Sequence, residues 1–214
     1  MKPKLRIFKD LESLSREAAG LFIEQAAAST AKRGRFLVAL NGGGTPNRLF
    51  QLLATEHRDQ VNWNNVHVFW GDERCVPPGD PGSNYRQAKE VLLDHIPILE
   101  SNIHRVKGEL DPASAAQDYA QILKSFAEDD LEFPRFDLVQ LGMGEDGHTA
   151  SLFPGSPVHA TETVIPVTAQ YQDRPANRVT LTQVVFNEAR MVVFMATGEK
   201  KADALAEVLS GRNN

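Results

Sequence analysis

Asp146 and His148 stand two residues apart in Gly142-Met143-Gly144-Glu145-Asp146-Gly147-His148-Thr149-Ala150, directly after an apolar run from Phe136 to Leu141. An imidazole titrates near pH ~6.5 and can take a proton from water, while a neighbouring carboxylate can orient the ring or stabilise its charged form. Glycines around the pair let backbone N–H groups come close to a ligand. A second segment, Asn41-Gly42-Gly43-Gly44-Thr45-Pro46, follows another short apolar run. Consecutive N–H groups, a helix start and the Thr45 hydroxyl favour a phosphate site, the alternative being a purely structural glycine-rich turn. It is neither a Walker loop nor a Gly-x-Gly-x-x-Gly turn. A third, Gly71-Asp72-Glu73-Arg74-Cys75-Val76-Pro77-Pro78, sets two acids beside an arginine whose planar fork matches a carboxylate, phosphate or developing oxyanion. Asn84 and Arg86 could add hydrogen bonds. Arg178 precedes a short apolar run, and Lys200 and Lys201 open the last helix. A cation there opposes the helix dipole unless an anion lies nearby, which marks Lys201 or Lys200 as a phosphate ligand. Taken singly, each feature has a plainer reading: an Asp-Gly turn, a solvated ion pair, surface charge.

These loops need elements to hold them. Short apolar runs at Leu5–Phe8, Phe36–Leu40, Val66–Trp70, Ile103–Val106, Phe136–Leu141, Val164–Val167, Val179–Leu181 and Met191–Ala196 read as strands. Between them lie helical patterns: Leu11, Leu14, Ala18, Leu21 and Phe22 capped by Asp10; a helix after Pro46; one capped by Ser83 through about Leu93; one opened by Asp111-Pro112. In the last helix Ala202, Leu205, Ala206 and Leu209 form the expected buried stripe. Strand–helix alternation predicts an α/β fold, a three-layer α/β/α arrangement with a mostly parallel, Rossmann-like central sheet. Right-handed crossovers then gather the strand C-termini along one edge, where such sheets bind ligands.

The chain of 214 residues is expected to form a single domain over 1–214. A net charge of −5, with no basic stripe beyond Lys32-Arg33-Gly34-Arg35, argues against nucleic-acid binding. No apolar run approaches the roughly 20 residues of a spanning helix, and the N-terminus lacks a secretory signal, so the expected setting is cytoplasmic, with no membrane partner. A lone cysteine, Cys75, excludes an internal disulfide and reads as packing. The six histidines show no metal-ligand spacing, so no metal or other cofactor is expected.

Taken together, Asn41–Pro46, Asp72–Pro77 with Ser83-Asn84, Gly142–Gly155, Arg178-Val179-Thr180-Leu181-Thr182 and Thr197-Gly198-Glu199-Lys200-Lys201-Ala202 closely resemble the glucosamine-6-phosphate isomerase/6-phosphogluconolactonase family, on its lactonase side. Order and spacing agree over nearly the whole chain. Members of this family often continue past the final helix, whereas this sequence stops at Asn214; every matched position lies before that point. The resemblance implies hydrolysis of 6-phospho-D-glucono-1,5-lactone to 6-phosphogluconate in the oxidative pentose phosphate pathway, with a small sugar-phosphate lactone as partner. It also implies a phosphate seat at Gly43, Gly44, Thr45, Arg178 and Lys201. On this reading His148 activates water, Asp146 orients it, and Arg74 faces the oxyanion or ring oxygen. Ser151 is an alternative nucleophile, but no Gly-x-Ser-x-Gly elbow surrounds it. Asp72 matches the isomerases' proton-abstracting aspartate. The deaminases of the group continue Asp-Gly-His with Ile-Ala-Phe-Asn-Glu-Pro, whereas here Leu152-Phe153 stand where that acid would be. A non-catalytic sugar-phosphate sensor of the repressor type has no room for a helix-turn-helix before Phe36.

Overall fold

The structure, a computed structural model, describes residues 4–128, 131–156 and 160–211. Its centre is a parallel sheet of β1 (Phe36–Leu40), β2 (Val66–Trp70), β4 (Leu138–Leu141) and β7 (Val192–Phe194), in the order β2-β1-β4-β7. Phe36 pairs with Val66 and Leu40 with Trp70, while Val38 pairs with Leu138 on the other side. β1 is buried at every position, as a strand covered on both faces must be.

Side chains alternate between two cores. Phe36, Val38, Leu40 and Leu138 pack with α1 (Leu11–Arg33), α2 (Pro46–Ala54) and α3 (Asn84–Val91). Leu37, Ala39, Val139 and Leu141 pack on the opposite face with α4 (Pro112–Lys124) and α5 (Gln183–Glu188). That second face also receives a separate antiparallel sheet of β3 (Asp72–Arg74), β6 (Asn177–Leu181) and β5 (Val164–Thr168). The layers are therefore helices, parallel sheet, and helices plus a small sheet.

Local signals act as expected at three helix starts. Asp10 accepts from Ser13 N at 2.7 Å, Ser83 Oγ accepts from Arg86 N at 3.1 Å, and Asp111 accepts from Ser114 N at 3.1 Å. Three expectations are corrected. Leu5–Phe8 forms no strand, since no neighbour pairs with it; Leu5 and Ile7 are exposed. Ile103–Val106 makes only a single bridge, Ile103 to Val68. The final helix, α6 (Ala202–Ser210), has no buried residue: Ala202, Ala206 and Leu209 are exposed and Leu205 is half-buried. An apolar stripe is buried only where another element covers it, and among the described residues none covers this one.

Two topological facts place the site. From β1 the chain passes to β2 on one side, whereas β4 lies on the other, so the loops after β1 and β4 diverge from a common crevice. Beside it, β2 leaves the parallel sheet at Gly71, which donates to Leu40 O and accepts from Leu181 N, each at 2.8 Å. The chain thereby enters β3 and carries Asp72, Glu73 and Arg74 into the small sheet at that edge.

Candidate active site

One cavity at this edge is lined by residues of every loop singled out in the sequence: Gly43, Gly44 and Thr45, Asp72 and Arg74, Asn84, His148, Arg178 and Lys201. Asp146 completes the group from behind, since its Oδ1 lies 2.5 Å from His148 Nδ1 and accepts from His148 N at 3.2 Å. With Nδ1 committed to a carboxylate, Nε2 is the nitrogen left to exchange a proton. The ring lies against Phe153, 4.3 Å between centroids, and meets the Tyr171 ring edge-on at 4.5 Å. A side chain at Gly144 would put its Cβ 2.2 Å from His148 Nδ1, so this glycine makes room for the imidazole.

Asp72 is buried and fully engaged. Ser151 Oγ donates to its Oδ2 at 2.7 Å and Asn84 Nδ2 to its Oδ1 at 3.2 Å. Ser151 is wholly buried with its hydroxyl on Asp72, and it does not line the cavity. That placement removes it as a nucleophile. The neighbouring Glu73 ties down the other end of the loop, accepting from the backbone of Arg74, Asn84 and Tyr85 and from Ser83 Oγ. Burial raises its pKa, with those four donors opposing. Gly42 is needed here as well: a Cβ would collide with Asn84 Oδ1 at 1.8 Å.

Arg74 and Arg178 are directly opposite each other in the β3–β6 ladder, and both are buried. Like charges so placed repel. Arg74 donates through Nη1 to Gly82 O at 2.5 Å, and its Nε has no partner. Arg178 lies with its guanidinium carbon 5.4 Å from the centre of the Phe153 ring, and both Nε and Nη2 are buried without partners. Burial and the adjacent Arg74 push its ionisation down, Asp72 opposing. Unsatisfied buried donors are costly, and an anion between these guanidiniums would relieve both the repulsion and the unmet hydrogen bonds.

The Gly43–Thr45 loop differs from expectation in one respect. Gly43 N donates to Gln87 Oε1 at 3.1 Å, so this N–H is already occupied by a residue the sequence reading did not single out. Thr45 Oγ1 lies 3.0 Å from Thr197 Oγ1 rather than capping α2. Of the two lysines, Lys201 lines the cavity at the start of α6, half-buried with its pKa lowered by desolvation. Lys200 is largely exposed, 3.8 Å from Glu145. Arg86 pairs outward with Glu90. Tyr171, Gln172 and Arg174, from the loop joining β5 and β6, also line the cavity. Nothing in their spacing distinguished them from an ordinary polar turn.

A donor set for a metal is not assembled: among the described residues no group of three or more His, Cys, Asp or Glu could hold an ion. Cys75 is half-buried and its thiol is pushed up to about 11, mainly by burial, which suits packing. Among the described residues no helix is long and apolar enough to cross a membrane.

A parallel sheet with a switch-point cavity, an imidazole–carboxylate pair and buried unpaired guanidiniums describes an α/β enzyme whose site is built for an anion. The chain belongs to the family described as glucosamine-6-phosphate isomerases/6-phosphogluconolactonase, whose pattern matches residues 9–214. A 6-phosphogluconolactonase of Synechocystis is 37% identical over 98% of this chain and 86% of its own length. One from Haemophilus influenzae is 40% identical over 80% of this chain and 72% of its own. The solved 6-phosphogluconolactonase of Trypanosoma brucei superposes with a TM-score of 0.87 at 29% identity, over all of this chain and 89% of that one. A monomeric glucosamine-6-phosphate deaminase shares the fold, with a TM-score of 0.82 at 21% identity over 99% of this chain and 88% of that one.

Proposed function

We propose that the chain hydrolyses 6-phospho-D-glucono-1,5-lactone to 6-phosphogluconate, with His148 activating water and no metal taking part. The activity, lactone hydrolysis in the pentose phosphate pathway, follows from the family and its lactonase relatives. The chemical steps are our reading of the cavity. His148 Nε2 takes a proton from water as the water oxygen bonds to the lactone carbonyl carbon. The carbonyl becomes an oxyanion beside Arg74, and Asp146 stabilises the imidazolium through Nδ1. The oxyanion collapses, the ring C–O bond breaks, and the departing oxygen takes the proton back from His148. Arg178, Lys201 and the Gly44–Thr45 turn hold the phosphate. Asn84 and Ser151 hold the Asp72 carboxyl in place as a fixed neighbour of the two arginines.

A single observation carries this reading: His148, held by Asp146 from behind, shares one cavity with two buried guanidiniums that have no carboxylate partner. A deaminase would need a further acid, and Phe153 stands in that place with its ring tilted against His148. The test is 6-phosphogluconate release from freshly generated lactone, corrected for spontaneous hydrolysis, before and after exhaustive chelation, with ammonia release from glucosamine 6-phosphate in parallel. Chelation-resistant hydrolysis without ammonia is expected. Activity lost to chelator and restored by a divalent ion would end the metal-free mechanism, and His148-dependent ammonia release would overturn the lactonase reading.

A further inference from the structure

We propose that Arg174 is a further substrate-binding residue, a cation held at the cavity wall that captures the substrate's phosphate dianion together with Lys201. This rests on the lactonase reading above. Its first support is the pairing of arginines across the molecule. Arg6, Arg16, Arg33, Arg35, Arg48, Arg58, Arg86, Arg105, Arg135 and Arg190 each have a carboxylate within ion-pair distance. Among the described residues only Arg74, Arg174 and Arg178 have none, and all three line the one cavity. The protein carries a net charge of −5, so cations left unpaired in one place are a local exception to its overall sign. Such a cluster draws an anion in against that background.

Its second support is that the loop is fixed rather than free-standing. Ala169 N donates to Ala176 O at 3.0 Å and closes its base. Tyr171 lays its ring against His148, and its hydroxyl accepts from Glu145 N at 3.3 Å. On the other flank, a Cβ at Gly82 would come within 3.2 Å of the Pro175 ring, so this side rests on the turn whose carbonyl binds Arg74. Gln172 takes a left-handed φ of 53°, a conformation rare for a residue with a side chain, at the bend between these anchors. Arg174 is thereby presented beside the other cations. Its charge lowers the ionisation of both Arg178 and Lys201, which places it within electrostatic reach of each.

A guanidinium gives a phosphate dianion two parallel hydrogen bonds, which an unphosphorylated sugar lactone cannot accept in the same way. The experiment compares Arg174→Ala and Arg174→Lys with the unaltered chain on the phosphorylated lactone and on unphosphorylated gluconolactone. Calorimetric binding of 6-phosphogluconate and of gluconate is measured alongside. For Arg174→Ala, KM for the phosphorylated lactone and Kd for 6-phosphogluconate should rise roughly 10- to 100-fold, the size of a lost charge-assisted hydrogen bond. The unphosphorylated pair should change by less than about twofold, and the difference should shrink in about 0.5 M salt. Arg174→Lys should recover part of the loss. Equal losses on phosphorylated and unphosphorylated ligands, or no loss on either, would overturn the proposal. If the unaltered chain fails to hydrolyse the lactone while 6-phosphogluconate binding still depends on Arg174, the lactonase reading falls and phosphate capture stands.

Discussion

His148 is the side chain on which the proposed chemistry turns, and its neighbours leave it one free nitrogen. His148→Ala should lower kcat by about 10²–10⁴-fold while changing KM little, the usual range for a lost general base. A single-turnover measurement with background subtracted checks this, and near-normal turnover would remove His148 from the role. Ser151 should behave differently. Its hydroxyl donates to buried Asp72, so Ser151→Ala leaves a carboxylate oxygen short of a donor. That costs about 1–3 kcal/mol of stability. Some activity should be lost too, but no covalent intermediate should vanish, because the serine does not face the cavity. Trapping an acyl-serine at position 151 would contradict the water-attack mechanism.

Loops after strands set the distances between these groups, and two glycines decide whether the loops close. At Gly144 an added Cβ meets His148 and Asp146 Oδ1, at 2.2 and 2.5 Å, whereas at Gly42 it meets the end of the Asn84 side chain. At Gly42 the obstacle is buried and held on Asp72, whereas at Gly144 it is the imidazole and the end of Asp146, which can give way, so there the fold survives and the site shifts. Gly144→Ala should lower kcat by roughly 10²-fold through a displaced imidazole. Its melting temperature should fall by only a few degrees. A variant that unfolds outright, or one with undiminished kcat, would refute this account of Gly144.

Over the whole molecule, acid sensitivity should come from a histidine pair far from the cavity. His67 Nδ1 lies 3.1 Å from His104 Nε2, with the rings stacked among Phe69 and Phe126. Burial, with the His67 neighbour added, lowers the His104 pKa to about 4, and burial with Arg35 lowers that of His67. The unfolded chain binds these protons near the ordinary value of 6.5, so it holds more protons than the folded chain between about 4 and 6.5. Stability is therefore full above pH 6.5 and declines as pH falls toward 4. His104 is half-buried and partly screened, so its share is about 1–2 kcal/mol. Denaturant titrations across that range should show a shallower acid limb for His104→Gln; an unchanged slope would assign the acid sensitivity elsewhere.

The sequence by itself determined what is local. Asp10, Ser83 and Asp111 start helices because a cap needs only a side chain and an N–H three residues on. Phe36–Leu40 and Val66–Trp70 are strands with the limits their apolar runs give, and the chemical loops follow strands as the pattern requires. Asp146 and His148 were legible as a pair because two residues separate them. Tertiary structure decided the rest, because it depends on which distant segments lie side by side. Arg74 faces Arg178 only through the β3–β6 register, and Ser151 reaches Asp72 across 79 positions of chain. Gln87 occupies the Gly43 N–H, and Arg174 joins the cavity, through contacts that no spacing encodes. The same reason governs the corrections: Leu5–Phe8 has strand-like residues without a partner strand, and α6 has an apolar stripe without a cover. Pattern fixes what a segment can become, and neighbours brought by the fold decide whether it pairs, is buried, or meets substrate.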